Sequence, residues 1–140
     1  MYWIVRTQDG KTFRFGYQPE SEMIATGYSY TSRWSLDLIN DTYNNSIFYN
    51  YSENPFTGDS GAIYPKEIVY NNDKSRRVSF SYETAIRQDL WDNYEHGSHI
   101  VQTKRLKEIT VQANDELAKR YTIEYVQLGP KTKYGISNIT

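Results

Sequence analysis

Large and polar residues alternate along short runs of this chain, and the same pair of runs returns at intervals. WSLDLI (residues 34–39) leads through a polar turn into IFYNY (47–51). YPKEIVY (64–70) runs through NNDKSRR into VSFSY (78–82), and RLKEITV (105–111) runs through QANDELAK into YTIEY (121–125). YGISNI (134–139) is the first half of a fourth copy. Alternation over four to eight residues is the mark of a strand with one covered face. A hairpin with one such face cannot satisfy itself, so repeated hairpins stack edge to edge into a continuous sheet. Aligned on Ile39, Ile68, Ile109 and Ile139, the units lie 29, 41 and 30 residues apart. Each complete unit closes on a large residue, one intervening residue and a tyrosine, at Tyr49/Tyr51, Phe80/Tyr82 and Ile123/Tyr125.

The fold class this predicts is all-β, mainly an antiparallel meander of repeated hairpins forming a curved sheet or sandwich. Ile39, Ile47, Ile68, Val78, Phe80, Leu106, Ile109, Ile123 and Tyr125 are the expected core. Fourteen tyrosines strengthen the β reading, because aromatic rings favour strands. At the strand ends such a ring is expected to cover the sheet and keep its hydroxyl in water. Asp9-Gly10 suits the turn of a further hairpin between Tyr2–Arg6 and Thr12–Phe15. Residues 16–31 read as a loop or short edge strand. The longer spacing before the third unit is an insertion at 83–103, where Ala85, Leu90 and Trp91 suit at most one short helix or a packed loop. ANDELAKR (113–120) reads as a long hairpin turn. Residues 1–140 have the size of a single β-domain, and strands at both ends suggest a fragment of a much longer protein.

Composition removes several chemistries. With no cysteine there is no thiol nucleophile, redox couple or cysteine-held metal, and a net charge of −1 argues against gripping nucleic acid through a basic field. No run approaches the roughly 20 apolar residues of a spanning helix, so no membrane insertion is expected from this segment. The first ten residues have no signal-peptide pattern, so any address belongs to the parent protein. Gly-Asp-Ser-Gly at 58–61 echoes a protease nucleophile loop, but the histidine base it requires is missing upstream and the string suits a turn. His96 and His99, with Asp92 and Glu95 nearby, fall short of a scaffolded zinc site. The expectation is no catalytic residue, no cofactor and no metal. Arg87 and Asp89 form an ion pair suited to pinning the insertion, in which Tyr94 and Gly97 follow. Four Asn-x-Ser/Thr sequons, at Asn40, Asn44, Asn50 and Asn138, are read as turn asparagines.

The order WSLDLIND, NNSIFYNY, YPKEIVY, RRVSFSYE, the Arg87/Asp89/Tyr94/Gly97 insertion, TKRLKEITV and RYTIEY resembles the SpvB-type region near the N-terminus of Tc insecticidal toxin B subunits and related Rhs/YD-repeat proteins. The likeness runs from about Trp3 to Thr140. It implies a long bacterial protein, secreted or delivered to the cell surface, whose strands wind into a hollow shell around a toxic C-terminal polypeptide. A β-propeller and YD repeats follow this region in that family, and neither is in this sequence. The actin ADP-ribosylation found in some members belongs to a separate domain, and no Arg/Ser-Thr-Ser/Glu-x-Glu set is found here.

The function expected from residues and resemblance together is a non-catalytic structural segment. Its partners would be the remaining shell domains of the parent and its toxin cargo, and the isolated chain would pair through its first or last strand as a homodimer. Two other classes compete with it. A carbohydrate- or cell-surface-binding module would use exposed aromatics including Trp34 or Trp91, and a glycoside hydrolase fragment would need two carboxylates in one cleft.

Overall fold

The computed structural model describes residues 1–129 and 133–140. Nine strands form one antiparallel sheet that does not close: β1 (Trp3–Arg6), β2 (Thr12–Phe15), β5 (Leu36–Asn40), β6 (Ser46–Glu53), β7 (Ile63–Tyr70), β8 (Arg76–Tyr82), β11 (Leu106–Ala113), β12 (Glu116–Gln127) and β13 (Tyr134–Ile139), side by side in that order. Two separate hairpins complete the chain, β3 (Glu22–Ile24) with β4 (Thr31–Trp34) and β9 (Trp91–Glu95) with β10 (Ser98–Gln102). The expected all-β antiparallel meander is the observed one. Among the described residues, no helix is long and apolar enough to cross a membrane.

Two local expectations are corrected. The 83–103 insertion, expected to hold at most one short helix or a packed loop, holds the β9–β10 hairpin, and Leu90 and Trp91 are exposed. The helical segment is instead a 3-10 turn at Pro19–Ser21. Residues 113–120 are not a long turn either. Asn114 and Asp115 both take positive φ, 53° and 62°, and make a two-residue turn, after which Glu116 starts a twelve-residue strand. Short polar side chains tolerate that conformation, which lets the strands twist together across two residues.

The repeat is stricter in three dimensions than in sequence. Each unit's first strand carries one extra residue at the same place: Asp37 in β5, Lys66 in β7, Lys107 in β11 and Ser137 in β13. Each of these β-bulges lies two residues before the aligned isoleucine. Immediately beyond it the neighbouring strand meets the unit, in the pairs Phe15 with Leu36, Tyr51 with Pro65, Tyr82 with Leu106 and Tyr125 with Ile136. A bulge bends its strand and increases the local twist, so repeating it at one position bends every junction in the same sense.

The closing tyrosines lock these bends. Each hydroxyl donates back to the carbonyl that opens its own unit, Tyr51 to Leu36, Tyr82 to Pro65 and Tyr125 to Leu106, each at 2.7 Å. The hydroxyls are therefore bonded to backbone, not left to water. A strand bent by a bulge leaves a carbonyl without its ladder partner, and the phenol is long enough to reach it.

Cross-strand pairs share a face, so the register sorts the side chains. Ile39, Ile47, Ile68, Val78, Phe80, Ile109, Val111 and Tyr121 lie on one apolar face. Glu67, Ser79, Thr110, Glu108 and Arg120 lie on the other, where Arg120 pairs with Glu108 at 3.3 Å. Of the nine residues expected in the core, Ile123 alone is buried and the other eight are half-buried. No second layer lies over the middle of the apolar face among the described residues, which explains the shortfall. The buried apolar side chains are Met23, Ala25, Ala62, Tyr64, Val69 and Ile100 with Ile123, most of them where the small hairpins meet the sheet.

Replacing Tyr82 by Phe keeps the ring and leaves the Pro65 carbonyl unpaired. Urea unfolding should show a loss of about 1 kcal/mol, within the range for one intramolecular hydrogen bond. Tyr51→Phe and Tyr125→Phe should each lose a similar amount, whereas Tyr43→Phe, whose ring is 86% exposed, should change stability little.

Candidate functional site

The sequence singled out Arg87, Asp89, Tyr94, Gly97 and Trp34, and the fold puts them in three places. Arg87 and Asp89 stand together at the foot of the insertion. Arg87 Nε and Nη2 donate to the two Asp89 oxygens at 3.0 and 3.1 Å, a forked pairing that fixes both side chains. The Arg87 backbone N–H donates to the Thr103 carbonyl, and the Glu83 N–H to the Arg105 carbonyl, both at 2.9 Å, so residues 83–105 leave and rejoin the sheet through a closed neck.

The pivot of that neck is Arg105, a residue the sequence did not flag. Its Nε donates to Glu83 at 2.7 Å, and its guanidinium lies 4.5 Å from the ring centres of both Tyr125 and Tyr134. Nη1 sits 4.0 Å from Asp89 and is buried with no hydrogen-bond partner among the described residues. A planar cation between two aromatic rings gains cation–π attraction on both sides. Tyr134 in turn donates its hydroxyl to Gln88 at 2.6 Å, so the insertion is held to the last strand as well as to β11 and β12. The Arg87 bonds hold the Asp89 carboxyl below its ordinary range, outweighing the opposing effect of burial. Beside this group is an open cleft of about 360 Å³, lined by Phe80, Tyr82, Arg87, Asp89, Arg105 and Tyr125 among others. Asp89 is the one carboxylate on its wall, and it is tied to Arg87.

Tyr94 and Gly97 belong to the β9–β10 hairpin. His96 and Gly97 have φ of 50° and 79°, the two successive left-handed residues of a tight turn, which accounts for the glycine. Tyr94 is 70% exposed and stacks on His99 at 4.7 Å, while His99 Nε2 lies 2.7 Å from Asp92. This hairpin docks on β3–β4: Arg33 pairs with Glu95 at 2.8 Å, the Thr26 N–H donates to Ser98 Oγ at 2.9 Å, and Tyr30 donates to the His96 carbonyl. Trp34 is apart from both groups, edge-on to Trp3 at 5.8 Å with its indole N–H donating to the Met1 carbonyl. Those two rings stand at 89° to one another and offer no flat platform.

The protease-like loop holds backbone in place. Asp59 accepts from the Thr103 N–H and hydroxyl, from Tyr64 and from the Phe56 N–H. Ser60 Oγ donates to the His99 carbonyl and not to its ring, and Ser60 pairs with Val101 as an isolated bridge. Among the described residues, no three His, Asp or Glu side chains gather as a metal-binding group.

No family model and no curated protein matches the sequence. Solved structures do match its fold. The N-terminal domain of the effector protein SpvB from Salmonella typhimurium strain LT2 aligns with a TM-score of 0.81 over 99% of this chain, at 13% identity. The fold is SpvB-like. A chain of the TcdB2-TccC3-Cdc42 structure aligns with a TM-score of 0.74 over 89% of this chain, at 14% identity. The SpvB-like chain spans 60% of the SpvB domain and 9% of the TcdB2-TccC3 chain. The resemblance read from the order of motifs thus has a counterpart at the level of the fold.

Substituting Arg105 by Met should cost about 1–3 kcal/mol, the range for charge-assisted bonds to a partly buried partner. Amide exchange should rise across residues 83–103 before it rises in β6 and β7. Because the Asp89 pKa is lowered on folding, the Asp89 contribution is fully present above about pH 4 and is lost as pH falls through the depressed value. Unfolding midpoints measured between pH 7 and pH 3 should therefore fall less for Asp89→Asn than for the parent chain.

Proposed function

We propose that the chain is a non-catalytic wall segment of a longer bacterial toxin-complex or Rhs-type protein, secreted or surface-delivered, in which β-structure encloses a toxic C-terminal polypeptide. The observation that carries this reading is the open nine-stranded sheet, in a chain of which 99% aligns with part of the SpvB N-terminal domain. The two outermost strands, β1 and β13, are each paired on one side only. An exposed strand edge is a template for further pairing, and proteins that do not use one usually blunt it with charge, proline or extra twist. YGISNI in β13 has no charge and no proline, so neighbouring wall strands could continue the sheet there. The arginine neck supports a mechanical role as well, since Arg87 is paired with Asp89 and Arg105 with Glu83.

In this reading the partners are the other shell segments of the parent and its enclosed polypeptide, and no cofactor takes part. Electron cryomicroscopy of the full-length protein is the test. The result expected is a hollow β-shell in which residues 1–140 form part of the wall, with strands added beyond β1 or β13. A full-length protein in which these residues stand as a detached domain with both edges in water would contradict it.

A further inference from the structure

The middle of the large sheet has an apolar face that nothing covers among the described residues. At its centre Ile68 of β7 is flanked by Ile47, Val78, Phe80, Ile109 and Val111 on neighbouring strands, all half-buried. A shallow groove of about 360 Å³ at the turn end of β7, β8 and β11 is lined by Tyr70, Val78, Val111 and Ala113 together with Arg76, Arg77 and Gln112. Charge lies at the ends, where the register puts Arg76, Lys119 and Glu116 at one and Glu53 at the other. The opposite face has Glu67, Arg77, Glu108, Arg120 and Glu124, with Leu38, Phe48 and the buried Val69 among them on the first strands, so it is the more polar of the two.

The total surface shows how much is left uncovered. A compact monomer of 16.5 kDa exposes about 7,500 Å². This chain exposes 9153 Å², an excess of roughly 1,600 Å², whereas a standard interface removes about 800 Å² from each partner. An apolar centre with a charged rim is also the anatomy of a protein interface. The edges offer less, because β1 has four residues and β13 six, and pairing there joins backbone more than it covers side chains.

We propose that two copies of this chain pack apolar face to apolar face, forming a two-layer sandwich. A sheet with one apolar face is stable against another such face about 10 Å away, and a second copy presents the same face. This differs from the edge pairing expected from sequence, and it does not depend on the shell reading.

The absence of cysteine makes the test clean. Val111→Cys places a thiol on the apolar face and Thr110→Cys places one on the opposite face of the same strand. Interfaces of this size bind at micromolar or tighter Kd, so sedimentation velocity at about 100 μM should show a dimer that dissociates on dilution. The maleimide reaction of Val111→Cys should slow several-fold on going from dilute to concentrated protein, while that of Thr110→Cys stays constant. Val111→Lys should remain folded by circular dichroism and sediment as a monomer. A monomer at every concentration would overturn the proposal. So would a dimer in which Val111→Cys reacts at the same rate throughout, which would place the contact at an edge.

Discussion

The bend at each unit junction is what the rest of this fold depends on. One extra residue in the first strand of every repeat unit breaks the ladder at a fixed distance from the aligned isoleucine. In the three complete units a tyrosine from the second strand then reaches back to the carbonyl left beside the break. The tyrosine also pairs laterally with the residue that opens the next unit, so one side chain ties three strands together. A sheet without a full second layer cannot rely on burial to hold its shape. Hydrogen bonds at the bends, each worth about 1 kcal/mol, do part of what a core does elsewhere.

The insertion shows the same economy. Residues 83–105 make their hairpin away from the main sheet and are held at the neck by Arg105, which is bonded to Glu83 and held between Tyr125 and Tyr134. Tyr125 therefore serves twice, with its hydroxyl on Leu106 and its ring against Arg105. At the first unit the bulge residue is itself buried. Asp37 accepts from Arg14, from the N–H groups of Tyr17 and Gln18, and from Ser21, and so fastens the 3-10 turn to the sheet. The corresponding residues in later units, Lys66, Lys107 and Ser137, are exposed, so the same backbone device is elaborated with local chemistry in one unit only.

Much of this was legible in the residues. The alternating runs, their spacing and the terminal tyrosines gave the hairpins and their order, because period-two patterning and turn chemistry act locally. The bulges left only a trace, a polar residue two places before each aligned isoleucine in LDLI, PKEI, LKEI and ISNI. Burial was over-read, since alternation shows that a face is apolar without showing that anything covers it. The β9–β10 hairpin was hidden because its own apolar side chains are few and its support comes from distant partners, Arg33 for Glu95 and Thr26 for Ser98. Arg87 and Asp89 were found because they are two residues apart. Arg105, Glu83 and Tyr134 meet only through the fold.

The claim that buried tyrosine hydroxyls hold the bends has a direct test in alkaline titration. Burial pushes the Tyr51, Tyr82 and Tyr125 phenols above the ordinary value of 10.0. A raised value in the folded state leaves stability intact below about pH 10 and removes it as pH climbs higher. Tyrosinate absorbance followed together with circular dichroism should rise in two stages, exposed phenols first and buried ones only as the sheet signal collapses. The second stage should shrink in the Tyr51→Phe, Tyr82→Phe, Tyr125→Phe triple variant. If all fourteen tyrosines ionise together near pH 10 while the sheet signal holds, the hydroxyls are free and the account is wrong.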